Sequence, residues 1–399
     1  MNKPILPESV KTVISRLNKA GHRADIVGGC VRDFLLGKSP SDYDLTTDAT
    51  PDEMRAIFSD MRTLDIGIKH GTLTVLLDGE PFEITTYRSD GEYVDHRRPS
   101  EVTFTRRLED DLKRRDFTMN AICYNERDGF TDLFSGVEDI NNSIVRAVGE
   151  PERRFEEDAL RILRAVRFAS VLDFVIEDNT ARAAIAKRGL LSSVSGERIA
   201  VEWRKLLSGI GAYRIISEYS EILKEFIPLD NIVLPSESVF LKADATMREL
   251  LVYALSADEP HIAFLRAADR MRYDNKTRKL AYSVLSSFRA YEKREMTKPD
   301  IKLLIYKEGE DAARGVIELL IALDRTDPSA LSRYDEIILN GEARHISDLD
   351  VNGMDLVNIG IKGKAVGEML EKLLVSVICD KTENESLALL KMAKELSEN

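Results

Sequence analysis

Beyond Glu152 the periodicity of this 399-residue chain changes, and the change limits the folds open to it. From there to the C-terminus nearly every stretch repeats its apolar residues at the 3.6 spacing of a half-buried helix. Strand-like runs fall instead in the first ~140 residues, mostly in their first two thirds. "ESVKTVISRLNKAG" sets Val10, Val13, Ile14 and Leu17 on one helical face, and a short strand over 25–27 then runs into Gly28-Gly29. "VRDFLLG" predicts a helix opened by that turn and stopped at Gly37. "DYDLTTD" predicts the next strand, and "TPDEMRAIF" a helix with a Thr-Pro-Asp-Glu start. "GTLTVLLDGEPFEITTYR" predicts two strands joined around Asp78-Gly79. The expected fold class is α+β: a mixed α/β part followed by a long all-helical remainder, without internal repeat or low-complexity linker.

The length suits two to four compact units, and 43% apolar with 32% charged residues describes an ordinary globular chain. The longest apolar runs, such as "LTVLL", are too short to span a bilayer, so no membrane partner is expected. Cys30, Cys123 and Cys379 are too far apart in sequence for a disulfide framework or a zinc site. With no signal-type apolar core near the N-terminus, the expected compartment is the cytoplasm. A net charge of −12 argues at first against a nucleic-acid partner. The positive charge is uneven, however: "HRRPSEVTFTRRLEDDLKRRDF" and "RRFEEDALRILRAVRF" concentrate arginine, and a basic cleft in an acidic protein is enough to hold a phosphate backbone.

In "SDYDL", strand alternation would project Asp42 and Asp44 from one face and send Tyr43 and Leu45 to the other. Two neighbouring carboxylates repel and favour a hard divalent cation between them, Mg²⁺ in practice. Two such ions about 4 Å apart would activate an attacking hydroxyl and neutralise a leaving pyrophosphate. Glu83, on a strand that can lie alongside, is a third candidate ligand; a solvent-facing strand glutamate is the plain alternative. Gly28-Gly29 before a helix lets backbone N–H groups approach phosphate oxygens, and Arg32 lies one turn in. The usual phosphate loops are absent: there is no G-x-G-x-x-G, and "GIKGKAVG" lacks the Ser/Thr of a Walker A. In "EDALR", Asp158 and Arg161 are three apart, hence on one helix face. Ala159, Leu160, Ile162, Leu163 and Val166 fall opposite, so the pair is expected to face out of the core. An i,i+3 surface ion pair worth a few tenths of a kcal/mol is the plain alternative.

"GGCVRDFLLGKSPSDYDL", "RRDFTMNAI" and "GEPERRFEEDALRILRAVRF", in that order, resemble the bacterial class II tRNA nucleotidyltransferases, the CCA-adding enzymes that share a fold with bacterial poly(A) polymerases. The segment "DLDVNGMDLVNIGIKGKAVGEML" is similar to the helical C-terminal part of that family. The resemblance implies a polymerase-β-like nucleotidyltransferase head at 1–145, a neck at 146–208, a body at 209–300 and a tRNA-binding tail at 301–399. It implies metal-binding carboxylates at Asp42 and Asp44, and a triphosphate near Gly28, Gly29 and Arg32. In "RRDFTMNAI" it brings Arg114, Arg115, Asp116 and Asn120 to the nucleotide, with Asp116 accepting from the ribose 2′-hydroxyl; a solvated charge cluster is the alternative for that run.

Asp158 and Arg161 are then implied to read the base. Asp158 accepts from the N4 amine of cytosine or the N6 amine of adenine, and Arg161 donates to the ring acceptors. Uracil and guanine put a carbonyl where Asp158 needs a donor, and a buried carboxylate left unpaired costs several kcal/mol. Arg164 and Arg167 become candidates for triphosphate or RNA-backbone contacts, and Glu197 and Arg198 for bracing the reading helix. "YRSDGEYVDHRRPSEVTF" matches the family's mobile loop, with Asp95, Arg97 and Arg98 supplying charge and His96 incidental. Lys362 and Lys364 fit RNA phosphates or a solvated loop equally. The implied reaction is untemplated addition of CCA to the 3′ end of tRNA from CTP and ATP. An A-adding enzyme, a poly(A) polymerase and a non-catalytic RNA-binding relative are the alternatives.

Overall fold

The computed structural model describes residues 3–65, 67–91 and 102–398. The chain separates into two compact units, Met1–Phe226 and Ile227–Asn399.

The first unit begins with α1 (Glu8–Lys19), whose stripe of Val10, Val13, Ile14 and Leu17 is buried as expected. Its sheet strands are β1 (Ala24–Val27), β2 (Leu45–Thr47), β3 (Arg62–Leu64), β4 (Thr72–Leu77) and β5 (Glu80–Thr86). A separate ribbon pairs β6 (Arg88–Asp90) with β7 (Val102–Phe104), and β8 (Ile122–Asn125) and β9 (Gly129–Asp132) complete the sheet. The seven strands run in the order β3-β4-β5-β2-β1-β8-β9. The sheet is mixed because β2 and β5 are parallel while β1 is antiparallel to both its neighbours. The β4–β5 hairpin turns at Asp78 and Gly79 with φ of 53° and 85°, the positive pair that a two-residue turn demands.

Helices α2 (Gly29–Leu35), α3 (Pro51–Ile57), α4 (Leu108–Lys113) and α5 (Gly136–Asn141) accompany the sheet. The predicted start of α3 is a full capping box between Thr50 and Glu53. The strand predicted over "DYDLTTD" is shorter than expected. The ladder covers only Leu45–Thr47, so Asp42 and Asp44 stand on the segment leading into it. Two like charges favour solvent over a ladder, and pairing begins where the side chains become buried.

From Pro151 the unit is helical: α6 (Pro151–Glu157), α7 (Leu160–Leu172), α8 (Asp178–Ala186) and α9 (Gly196–Leu207). One exception is a two-residue parallel ladder, Ile144–Val145 with Val175–Ile176, which ties the end of the sheet region to the helices. The α7–α9 layer is closed by Trp203, fully buried and edge-on to Phe226.

The described part of the second unit is helical, with Ala245–Ser256, Pro260–Met271, Asn275–Tyr291 and Glu310–Ala322 packed on one another. Its last part closes on Leu356, Leu373, Leu374, Ile378, Leu389 and Ala393. Among the described residues no helix is long and apolar enough to cross a membrane.

Candidate active site

The site grows from the turn between β1 and α2. Gly28 caps α2 with φ 81° and ψ −126°, a conformation open to glycine and strained for any other residue. A Cβ there would also stand 3.2 Å from Nη1 of Arg115, so the position is held by both backbone and space. The Gly28 N–H donates to Ile122 O at 3.2 Å, fixing the turn to β8.

One side of the turn is acidic. Val27 N–H donates to Asp44 O at 3.0 Å, which anchors the lead-in to β2 against β1. Leu45 pairs with Ile84, so Asp44 and Glu83, one residue earlier on each of two parallel neighbours, come side by side on one face. Asp42, Asp44 and Glu83 are all exposed at their surfaces. Protein mass behind Asp44 nevertheless desolvates it, and with the charges of Asp42 and Glu83 this raises its carboxyl above the usual aspartate range, against an opposing pull from Arg115. Repulsion of that kind is what a hard, oxygen-seeking cation relieves, and the donor set suits one. Among the described residues no group of three Asp, Glu, His or Cys side chains is gathered closely enough to hold a metal ion. Beneath the turn, burial and the Asp44 charge push the Cys30 thiol up to about 11, which leaves it protonated and unreactive at neutral pH.

The other side is a hydrogen-bond circuit of arginine, amide and carboxylate groups. Arg32 Nη1 donates to Asn120 Oδ1 at 2.8 Å, and Asn120 Nδ2 donates to Asp116 Oδ1 at 3.1 Å. Arg164 Nε donates to Asp116 Oδ2 at 2.7 Å. Burial acts to raise the Asp116 carboxyl, but Arg164, Asn120 and the more distant Arg161 outweigh it and hold the group well below the usual range. Phe168 packs inside the circuit, with the Arg32 and Arg164 guanidiniums 5.1 and 5.2 Å from its ring centre and that of Arg167 at 3.4 Å.

The helical part corrects one expectation. Asp158 and Arg161 do not share a continuous helix: Asp158 ends α6 in an extended conformation (φ −136°, ψ 104°) and α7 starts at Leu160. Asp158 Oδ1 accepts from Leu160 N–H at 3.1 Å, a local turn at the break between the two helices. Nor does Arg161 face out of the core, since only 8% of it is exposed. Its guanidinium donates to Glu157 Oε2 at 2.8 Å, Arg154 O at 3.1 Å and Arg114 O at 2.8 Å, tying α7 to the "RRD" segment. The partner of Asp158 is Arg198, whose Nη2 donates to Oδ2 at 3.1 Å. Arg167 likewise turns inward and donates to Glu202 Oε2 at 2.8 Å. The apolar set Ala159, Leu160, Ile162, Leu163 and Val166 is buried as expected.

Three family models match the chain in order. They are the poly A polymerase head domain over residues 24–146, the probable RNA and SrmB-binding site of polymerase A over 173–224, and the putative tRNA nucleotidyltransferase domain 2 over 244–393. A CCA-adding enzyme of Enterococcus faecalis is 36% identical over 398 residues, covering 96% of this chain and 94% of the relative. The chain belongs to the CCA-adding enzyme family. A CCA-adding enzyme of Bacillus cereus is also 36% identical, over 95% of this chain and 96% of its own. Among solved structures, the Bacillus stearothermophilus CCA-adding enzyme in complex with CTP superposes with a TM-score of 0.75 at 31% identity, covering 99% of this chain and 98% of that one. The Thermotoga maritima CCA-adding enzyme complexed with tRNA shares the fold, with a TM-score of 0.68 at 21% identity.

Several residues that build this site in a CCA-adding family member escaped the sequence analysis. Asp111, fully buried on α4, takes Arg114 Nη2 at 2.6 Å and Arg115 Nη2 at 3.2 Å. Glu157 holds Arg161. Both sit three or four residues before their arginines, and that spacing is a signal in "DLKRRD" and "EEDALR". Glu202 pairs with an arginine 35 residues away and leaves no local trace. Asp95, His96, Arg97 and Arg98 lie outside the described residues. Lys362 and Lys364 are exposed in the second unit, at the start of the helix Lys364–Ile378.

Proposed function

We propose that this chain adds C, C and A, without a template, to the 3′ end of tRNA, using CTP and ATP and releasing pyrophosphate. What carries the reading is continuity within one unit. Asp44 feels Arg115, Arg115 abuts Gly28, and Arg32 connects through Asn120 and Asp116 to Arg164, beside the Asp158–Arg198 pair. Chemistry, sugar and base thus have adjoining stations, on a chain that aligns over nearly its whole length with CCA-adding enzymes.

In this reading the terminal hydroxyl of tRNA attacks the α-phosphorus, a new P–O bond forms, and the bond to pyrophosphate breaks. Gly28 and Gly29, lacking side chains, let the phosphates approach the turn closely, with Arg32 and Arg115 beside them. Asp116, kept ionised by Arg164, accepts a hydrogen bond from the ribose, and Asn120 orients it. Asp158 accepts from the amine of cytosine or adenine while Arg161, fixed by Glu157, donates to the ring. Arg198 holds Asp158 in place through its Nη2 contact. Arg164 and Arg167 supply positive charge around the nucleotide, with Arg167 acting from behind Phe168. Asp42 and Asp44, with Glu83 next to them, are the residues to hold Mg²⁺, which when bound in a two-metal arrangement supplies Lewis acidity toward the hydroxyl and the leaving pyrophosphate. Residues 1–145 serve as catalytic head, 146–208 as the base-selecting neck, and 209–300 and 301–399 as the body and tail that grip the acceptor arm by shape and backbone. The compartment that fits this work is the cytoplasm.

The test uses tRNA transcripts ending before CCA, after CC and after CCA, each with CTP, ATP or both and Mg²⁺. Three residues added to the first with both nucleotides, followed by a stop, is the expected outcome. A ladder of A on every transcript, or A added only after CC, contradicts it.

A further inference from the structure

We propose that Asp111 is a positioning residue that aims Arg115 at the triphosphate beside the Gly28 turn, an inference that rests on the function proposed above. Asp111 has none of its surface exposed, so its charge is available only to the groups that touch it. Those groups come from separate parts of the site. Arg115 Nη2 donates to Oδ2 at 3.2 Å, and Arg114 Nε and Nη2 donate to Oδ1 at 2.9 and 2.6 Å. Thr46 Oγ1, on the strand that follows Asp44, lies 3.3 Å from Oδ2 and shares its one proton between that oxygen and Thr85 O at 3.2 Å. One buried carboxylate therefore registers two arginines against the strand that directly follows Asp44.

Its hold on Arg115 is partial, and that is the informative part. Asp111 takes a single Nη2 contact, while Nη1 is directed at the Gly28 turn, 3.2 Å from where a Cβ would stand. Nε is buried without a hydrogen-bond partner among the described residues. A guanidinium has five donors, and leaving one buried and unsatisfied costs about 1–3 kcal/mol. Arg115 is thus gripped at one nitrogen and held with further donors directed away from its carboxylate, next to the Gly28 turn. Arg114, in contrast, is held by two of its nitrogens and gives its carbonyl to Arg161, which fits a structural part.

The experiment measures equilibrium binding of CTP, CMP and pyrophosphate, with Mg²⁺, to the wild type, Asp111→Asn, Arg115→Lys and the double variant. If Asp111 acts through Arg115, Asp111→Asn weakens CTP and pyrophosphate by about 10-fold and leaves CMP and tRNA within about twofold. The double variant then binds CTP no worse than Arg115→Lys alone. Equal losses for CTP and CMP, unchanged CTP binding, or additive losses in the double variant overturn the proposal. Should Asp111→Asn fail to fold, Asp111→Glu carries the same test, since it keeps the charge and moves it by one methylene; it must lower CTP affinity without lowering that for CMP. Absence of nucleotide transfer by the wild type would sink the functional reading itself, whereas transfer by a wild type whose variants fail these criteria sinks only the role of Asp111.

Discussion

On the sheet side of the site Asp42, Asp44 and Glu83 stand exposed, and the charges of Asp42 and Glu83 help to raise the Asp44 carboxyl above its usual range. On the helical side Arg161, Arg164 and Arg167 are each matched to one carboxylate: Glu157, Asp116 and Glu202. Like charges gathered at a surface are tolerable because solvent screens them, and they are useful because a cation can collect them. Opposite charges locked in a partly dry interior do the reverse work. In the proposed function they would hold donors and acceptors at fixed angles, so that a base of the wrong hydrogen-bond pattern would leave a buried group unpaired. Under the proposed function the first wall would change when metal and phosphate arrive, and the second would resist change.

The contrast can be broken most forcefully at Asp42. Asp42→Ala should lower single-turnover transfer by about 10³-fold, equivalent to about 4 kcal/mol of barrier, while tRNA affinity measured by filter binding stays within about twofold. Retained transfer would remove Asp42 from the chemistry. The neck wall is probed at Asp158. Asp158→Asn offers an amide donor to a carbonyl, so the ratio of kcat/KM for UTP over CTP should rise by about 10²-fold with the rate on CTP falling less than in Asp42→Ala. An unchanged ratio would mean that the base is chosen elsewhere.

A smaller effect, with a pH signature, is expected at Arg164. Arg164→Met leaves Asp116 buried and short of its cation, costing about 1–3 kcal/mol in urea unfolding at neutral pH. In the wild type the Asp116 carboxyl is held below its ordinary value, so its stabilising contribution is full above about pH 4 and drains as pH falls further. The stability gap between wild type and variant should therefore be widest near neutrality and close in acid; a gap that grows in acid would reverse the sign of the argument. The smallest effect belongs to Phe168. Phe168→Leu removes the ring shared by Arg32, Arg164 and Arg167 and should cost about 1–2 kcal/mol, with KM for CTP and ATP rising together by a few-fold. A rise for one nucleotide alone would place Phe168 in base choice instead of arginine packing.

The same contrast explains what could be seen in the sequence. The strand-like run "GTLTVLLDGEPFEITTYR" and the glycine pair disclosed the sheet wall because strand geometry is local, and the parallel β2–β5 pairing placed Glu83 beside Asp44 as anticipated. The helical wall was legible in residue type and misread in geometry. Helical projection assumes an unbroken helix, but α6 ends at an extended Asp158 before α7 begins, and Arg161 is buried. Glu157 and Asp111 could have been found from their i,i+4 spacing to arginine. Arg198 on Asp158 and Glu202 on Arg167 depend on how α9 packs against α7, and no local pattern encodes a contact 35 or 40 residues away.

The most direct measurement of this division of labour is nucleotide choice measured side by side in two variants. CTP and UTP binding and single-turnover transfer would be compared for Asp42→Ala and Asp158→Asn. If the sheet wall does the chemistry and the helical wall chooses the base, Asp42→Ala keeps the preference for CTP with transfer gone, and Asp158→Asn keeps transfer with the preference eroded. Loss of preference in Asp42→Ala, or full preference retained in Asp158→Asn, would contradict the account.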